Sequence, residues 1–494
     1  MLRISKTPIE LKALIISLIM LLINGSAYAG LVTEKEVRFY GDAPAYKGLS
    51  IVFESVSNYI IPLSSPIITM PINDEGHFDL SFALEEPAYI FADLGRFRAS
   101  IYIEPGKEYE LVFPPFEARS DAERLNPHFS FEEVALGIAN PESRDLNRNI
   151  IEFDAEFDYL HAQNAIRLFT NSDTALAAKL EQELDKKYSY SHPIFEQHKT
   201  LSFLRLRQTA SRQQNRDIIA ELGSLPVQLM PAYWKLFNSL FKGFYPYGFK
   251  DSIQTAISGQ VSNHASFDSI VDIAMGDTLF RKRELTELVI LNGLYEAFYN
   301  KTVPENTILA VLQNAALTSS TPLSKAMAHD MYAKTSMLRP GSEAPGFSLF
   351  NSKRREKSLS EYRGKFVYLN FIHTENYACQ KDMLILEQFY KSMRRELEIV
   401  TIVMDEDFEA MENFTETNAY KWDFLHFGSY PQLIELYNLQ ALPSYYLINP
   451  EGALSLSPAP APEENFRERF AEQYQSFRIR DLRKNPPKEK SIFR

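Results

Sequence analysis

The sequence predicts a multidomain α+β chain with an N-terminal antiparallel β-sandwich, a central all-α region and a C-terminal α/β domain. Three observations carry this. Apolar residues alternate at period two up to about residue 115. They recur at spacings of three and four from there to about residue 338. Beyond that, buried-type strands alternate with helical segments. A chain of 494 residues with a 45% apolar share fits two to four packed domains.

Residues 1–29 read as a secretory signal peptide. Arg3, Lys6 and Lys12 form a positive leader, an apolar run extends from Ala13 to Ile23, and Ala27-Tyr28-Ala29 is a small-x-small cleavage site. The run is short for a membrane span, so cleavage before Gly30 is expected rather than an uncleaved anchor. No cysteine follows it to take a lipid, and no later stretch is apolar enough to cross a bilayer. The expectation is an exported, soluble protein, periplasmic in a cell with two membranes. Removing three bases and one acid takes the formal charge from −12 to −14. So acidic a chain suits nucleic acid poorly, because that affinity comes largely from neutralising phosphates.

The first module is placed at residues 30–115. Ile51-Phe53, Phe78-Leu80-Phe82, Ile90-Ala92 and Ile101-Ile103 alternate, and Asn73-Asp74-Glu75-Gly76 and Glu104-Pro105-Gly106-Lys107 supply turns. His77 reads as a surface turn residue. The second module, residues 116–338, reads as eight to ten helices. Leu146, Ile150, Phe153, Phe157 and Leu160 fall on one helical face, as do Leu285, Leu288, Val289 and Tyr295, and Thr321-Pro322 is a helix start. The aromatic residues around Tyr233-Trp234 and Phe244-Tyr245-Pro246-Tyr247 read as a seam between helices, with a partner or glycan surface as the alternative. The nine histidines show no HxxxH or HExxH spacing, so neither a metal site nor a cofactor is expected.

The third module, residues 339–476, carries the functional signal. Pro340-Gly341-Ser342-Glu343-Ala344-Pro345-Gly346-Phe347-Ser348-Leu349 opens it, and Tyr362-Arg363-Gly364-Lys365 leads into the strand Phe366–Phe371. A loop from His373 to Ala378 reaches Cys379 and a helix to about Leu397. Leu442-Pro443-Ser444-Tyr445-Tyr446-Leu447-Ile448 and the turn Asn449-Pro450-Glu451-Gly452 follow later. The basic end, residues 477–494, is expected to be a disordered tail.

This order of motifs resembles the TlpA/ResA branch of the thioredoxin superfamily, with an AhpC/TSA-redoxin-like C-terminal domain, and the small β domain before it loosely resembles those of Bacteroidetes-type exported proteins. The likeness covers about 140 residues. It implies a thioredoxin-like fold and descent from exported thiol-disulfide oxidoreductases. In that family a tryptophan and a CxxC pair follow the strand. The first cysteine attacks from a helix N-terminus, whose field lowers its pKa, and the second resolves the mixed disulfide. A cis-proline faces the pair and accepts substrate backbone. By the resemblance, Cys379 falls on the resolving cysteine, Asn376 on the nucleophile and Glu375 on the tryptophan. Asp382 stands for a glutamate, Met383 matches the family methionine, and Pro443 falls on the cis-proline.

The departure decides the chemistry. A dithiol cycle needs two sulfurs, and Cys379 is the only cysteine in the chain, so that cycle and any intramolecular disulfide are excluded by counting. A dimer bridged through Cys379 stays open, and the sequence does not set the oligomeric state. Asn376 has a plain role as a helix N-cap. Three readings follow. The first is a redox-inactive binding or assembly module, whose groove beside Leu442, Pro443, Asn376 and Tyr377 would hold an extended segment of another exported protein. In the second, Cys379 is a catalytic monothiol acting through mixed disulfides or a sulfenic acid; His373, six residues upstream, is the group that would lower its pKa, although the plainer reading is that this histidine fills space at the loop. In the third, the module is structural and the helical region holds the activity. A peroxiredoxin would need Thr at the position of Asn376, and no GxSxG or phosphate-cradling loop is present.

Overall fold

The structure is a computed structural model that describes residues 35–120, 123, 129–210, 215–227, 229–245, 248–263, 266–430, 432–439 and 441–484. The expected signal peptide, residues 1–29, lies outside them. Two sheets form the N-terminal sandwich. One has the order β4 (His77–Leu84), β1 (Lys35–Asp42), β7 (Glu108–Val112), β9 (Gly137–Ile138). The other runs β3 (Leu63–Pro71), β2 (Ser50–Asn58), β5 (Ala88–Leu94), β6 (Phe97–Ile103), β8 (Glu132–Ala135). Alternation places Phe39, Phe53, Ile90, Ile101 and Ile103 in a shared core.

Two features of the sandwich differ from the expectation. It is not wholly antiparallel, since β1 pairs with β7 and β6 with β8 in parallel. It also continues past residue 115, because Leu136 and Ile138 alternate into the same core. A Cβ on Gly137 would lie 2.9 Å from the Val112 Cβ, so glycine lets β9 close on β7. These strands, of four and two residues, were too short for periodicity to separate from a helix entry.

Among the described residues, ten α-helices, α1 to α10, follow between Pro141 and Ser336. Leu146, Ile150, Phe153 and Phe157 are buried along α1 (Pro141–Gln163). Thr321 caps α10 (Pro322–Ser336), accepting from the Ser324 amide at 3.1 Å. Tyr233 and Trp234, on α5 (Pro231–Phe241), are buried in the helical core, so this part of the aromatic concentration is a seam; residues 246 and 247 lie outside the described set.

The β2–β3 turn ties the first two modules together. Ile61 is fully buried in the helical core, and Tyr59 stacks on Trp234 with centroids 5.3 Å apart and planes 4° apart. Asn58 holds the turn by accepting from the amides of Ile60 and Ile61 at 3.2 and 3.3 Å, while its own amide donates to the Met327 carbonyl at 3.3 Å.

The C-terminal sheet has seven strands in the order β11 (Glu356–Ser358), β10 (Ser348–Asn351), β14 (Asp423–His426), β13 (Leu397–Val403), β12 (Phe366–Ile372), β15 (Ser444–Ile448), β16 (Leu454–Leu456). Strands β12, β13 and β14 are parallel, and β15 runs antiparallel to β12. Helices α11 (Tyr377–Met393), α12 (Phe408–Asn418), α13 (Leu433–Leu436) and α14 (Phe466–Lys484) flank it. All seven β12 residues are buried, as expected of a central strand covered on both faces. The Trp422 indole donates to the Thr401 hydroxyl at 2.9 Å beside this sheet.

The expected tail is corrected at its start. Residues 477–484 continue α14, because Phe466, Phe470, Tyr474 and Phe477 share one face and three of these rings, those of Phe470, Tyr474 and Phe477, surround Phe366. Aromatic burial thus carries the helix beyond residue 476 into basic sequence. Residues 485–494 lie outside the described set.

Candidate functional site

Strand β12 delivers the chain to a loop and then to the N-terminus of α11. Thr374 pins the loop. Its amide donates to Asp405 Oδ2 at 2.9 Å and its hydroxyl donates to Oδ1 of the same buried carboxylate. The Gln380 side-chain amide returns to the Thr374 carbonyl at 2.8 Å. Asn376 caps α11, its Oδ1 accepting from the amides of Ala378 and Cys379 at 2.9 and 3.4 Å. Tyr377 begins the helix and is 80% exposed, while Glu375 stands exposed before the cap.

Cys379 is the third residue of α11 and 1% exposed, in a core with Tyr368, Ile372, Met383 and Tyr445. Burial pushes its thiol pKa up; a backbone contact with His373 opposes this, and the negative charges of Asp382 and Asp405 add to it. The His373 imidazole lies 3.4 Å from Asp405 and also takes the Glu375 amide at 3.3 Å. The net direction for the thiol is upward, and what His373 contributes against it comes from its backbone, not its ring.

Asp382 is buried behind the thiol, and one of its oxygens accepts from the Tyr445 hydroxyl. Burial raises the Asp382 carboxyl above the usual carboxylate range. The Tyr445 ring stacks on Tyr368 at 5.4 Å, and the Tyr368 hydroxyl donates to the Pro460 carbonyl at 2.6 Å.

The Leu442–Pro443 bond is cis, as is Ser457–Pro458. The Leu442 carbonyl accepts from Asn376 Nδ2 at 3.4 Å. Between α11 and the two prolines runs a groove of about 470 Å³, lined by Tyr377, Lys381, Pro443, Ser444, Pro458 and Glu464 among others. The structure thus brings Asn376, Tyr377, Cys379, Leu442 and Pro443 together, while His373 Nδ1 accepts from the Glu375 amide. Sequence reasoning missed Asp405, Tyr445 and Pro458. An Asp just past the end of a parallel strand, with Thr at the end of its neighbour, was the available signal for the first.

A strand–loop–helix with a cis-proline opposite the helix start, on a mixed sheet covered on both faces, defines a thioredoxin-like domain. A model of the AhpC/TSA family matches residues 340–457. The thiol-disulfide oxidoreductase ResA of Bacillus subtilis is 30% identical over 123 residues, 25% of this chain and 68% of that protein. The ResA of Geobacillus kaustophilus is 29% identical over 124 residues, 25% of this chain and 71% of that protein. Among solved structures, the thioredoxin domain of a thiol-disulfide oxidoreductase from Bacteroides vulgatus is 22% identical, covers 27% of this chain and 98% of its own, and gives a TM-score of 0.25. A thiol-disulfide oxidoreductase from Bacteroides fragilis is 22% identical, covers 28% of this chain and 99% of its own, and gives 0.23. Through these C-terminal residues the chain belongs to the family of the ResA-type thiol-disulfide oxidoreductases. The chain holds one cysteine, Cys379, and therefore no CxxC pair.

Proposed function

We propose that the C-terminal domain is a redox-inactive docking module of an exported, periplasmic protein. In this reading the groove beside Pro443 holds an extended segment of another exported protein through backbone hydrogen bonds and contact with Tyr377. The observation that carries it is the arrangement of two residues. Asn376 occupies the helix cap where an attacking thiolate would stand, and the one sulfur is 1% exposed behind it. An unactivated, shielded thiol is a poor nucleophile and a poor target, which weighs against the monothiol reading. Export is supported by the leader of residues 1–29 and by the kinship with ResA-type proteins. Among the described residues no helix is long and apolar enough to cross a membrane.

The test compares wild type with Cys379→Ser. Docking without exchange requires equal capture of a groove-binding peptide by both, and no turnover of a model protein disulfide by either. Loss of capture in Cys379→Ser, or thiol-trapped adducts on the wild type, would establish the monothiol reading instead.

A further inference from the structure

A second cavity lies far from Cys379 in the fold, where the sandwich meets the helical region. It encloses about 640 Å³ between β5 and β6 on one side and α1, α3 (Pro193–Ala210) and α5 on the other. That volume is within the range of small-molecule sites, about 300–1,000 Å³, which favour such junctions.

Its walls are built rather than incidental. Asn147 fixes strand β6 against α1, donating to the Tyr102 carbonyl and accepting from the Tyr102 amide, both at 2.8 Å. The His198 ring is set edge-on to Tyr102 and Phe153, and its Nε2–H donates to Asp154 Oδ1 at 2.6 Å. The Tyr102 and Tyr89 rings meet with centroids 4.8 Å apart. Tyr102 and Ser202 both line the cavity and are 7% and 6% exposed.

The lining also limits the ligand. Glu133, Asp154 and Asp158 oppose an anion. Lys235 and Arg205 oppose a simple cation, and Arg205 is already paired with Asp158 at 3.1 Å. Tyrosine and serine side chains, and a carboxylate oriented by an imidazole, suit a neutral molecule rich in hydroxyl groups.

We infer that the cavity between β6 and α3 is a binding site for a neutral saccharide of one or two rings, held by Tyr102, Ser202 and the Asp154–His198 pair. This site is independent of the groove beside Pro443.

The experiment titrates the intact protein calorimetrically with maltose, cellobiose, lactose and N,N′-diacetylchitobiose. At least one is expected to bind. Tyr102→Phe and Ser202→Ala, which each remove one hydroxyl, should weaken it at least tenfold, and Tyr377→Ala in the other groove should leave it unchanged. A second measurement needs no variant: hydrogen–deuterium exchange of the wild type with the same sugar should slow at residues 97–103 and 193–210. Absence of binding by all four sugars, binding indifferent to both hydroxyl deletions, or protection confined to other segments would overturn the inference.

Discussion

The side-chain amide of Asn376 donates to the carbonyl of Leu442, the residue before Pro443, at 3.4 Å while its oxygen caps α11. One residue thus satisfies the helix start and spans the mouth of the site. Replacing it tests both roles. Asn376→Ala should cost about 1 kcal/mol, the usual worth of an N-cap, in chemical denaturation of the intact protein. Asn376→Ser should recover most of that. Equal stability of all three would show that the cap contributes nothing.

The same position tests whether this scaffold can support a dithiol. N376C places two sulfurs at CxxC spacing on an otherwise family-like strand, loop and helix. This variant is expected to form the 376–379 disulfide under mild oxidation, read as a two-hydrogen mass loss, and to reduce a model protein disulfide in the presence of a dithiol. If the disulfide fails to form, the loop held by Thr374 and Asp405 has drifted from exchange geometry.

The raised thiol pKa of Cys379 has a stability consequence. The unfolded thiol ionises near 8.5, whereas the folded one holds its proton to higher pH. Above about 8.5 the unfolded state therefore binds fewer protons and gains on the native state, so stability present below that pH falls as pH rises towards the folded pKa. Alkylation of the native protein should be slow throughout this range and become fast on unfolding. In Cys379→Ala the loss of stability between pH 8.5 and 10 should be smaller; an unchanged slope would assign it to other groups.

Asp382 gives the acidic counterpart. Its folded carboxyl sits above the ordinary value because of burial. Its contribution is favourable below the unfolded pKa of about 3.9 and is lost as pH rises through the folded one, leaving a buried charge at neutrality. Asp382→Asn keeps an acceptor for Tyr445. It should raise stability at pH 7 relative to wild type and lose that advantage near pH 3, read from denaturation midpoints at the two pH values.

At the other end of the molecule, Ile61→Ala empties a fully buried position where the sandwich enters the helical core. A loss of about 2–5 kcal/mol is expected. Because the turn joins two modules, thermal unfolding should also broaden or split in calorimetry. A small, single-transition shift would mean that the modules are coupled elsewhere.

The sequence exposed the fold wherever burial was periodic and long. The alternation of Ile51 and Phe53, the face from Leu146 to Phe157 and the unbroken run of β12 all point to the elements observed. It failed where tertiary contact overrode local character. Strands β8 and β9 are too short to announce themselves, and the basic end of α14 is helical because Phe477 finds Phe366. In the site, residues fixed by motif order, namely Asn376, Cys379 and Pro443, were legible. Asp405 and Tyr445 were not, since their roles arise from strands and helices distant in sequence meeting at one end of the sheet.

Trp234 and Trp422, the only two tryptophans in the chain, sit in different bodies, one stacked on Tyr59 at the junction of sandwich and helices and the other bonded to Thr401 beside the C-terminal sheet. Indole emission is therefore two optical channels superimposed. Converting either tryptophan to phenylalanine silences one channel and makes the remaining fluorescence a private record of the order in which the two halves of the protein come apart.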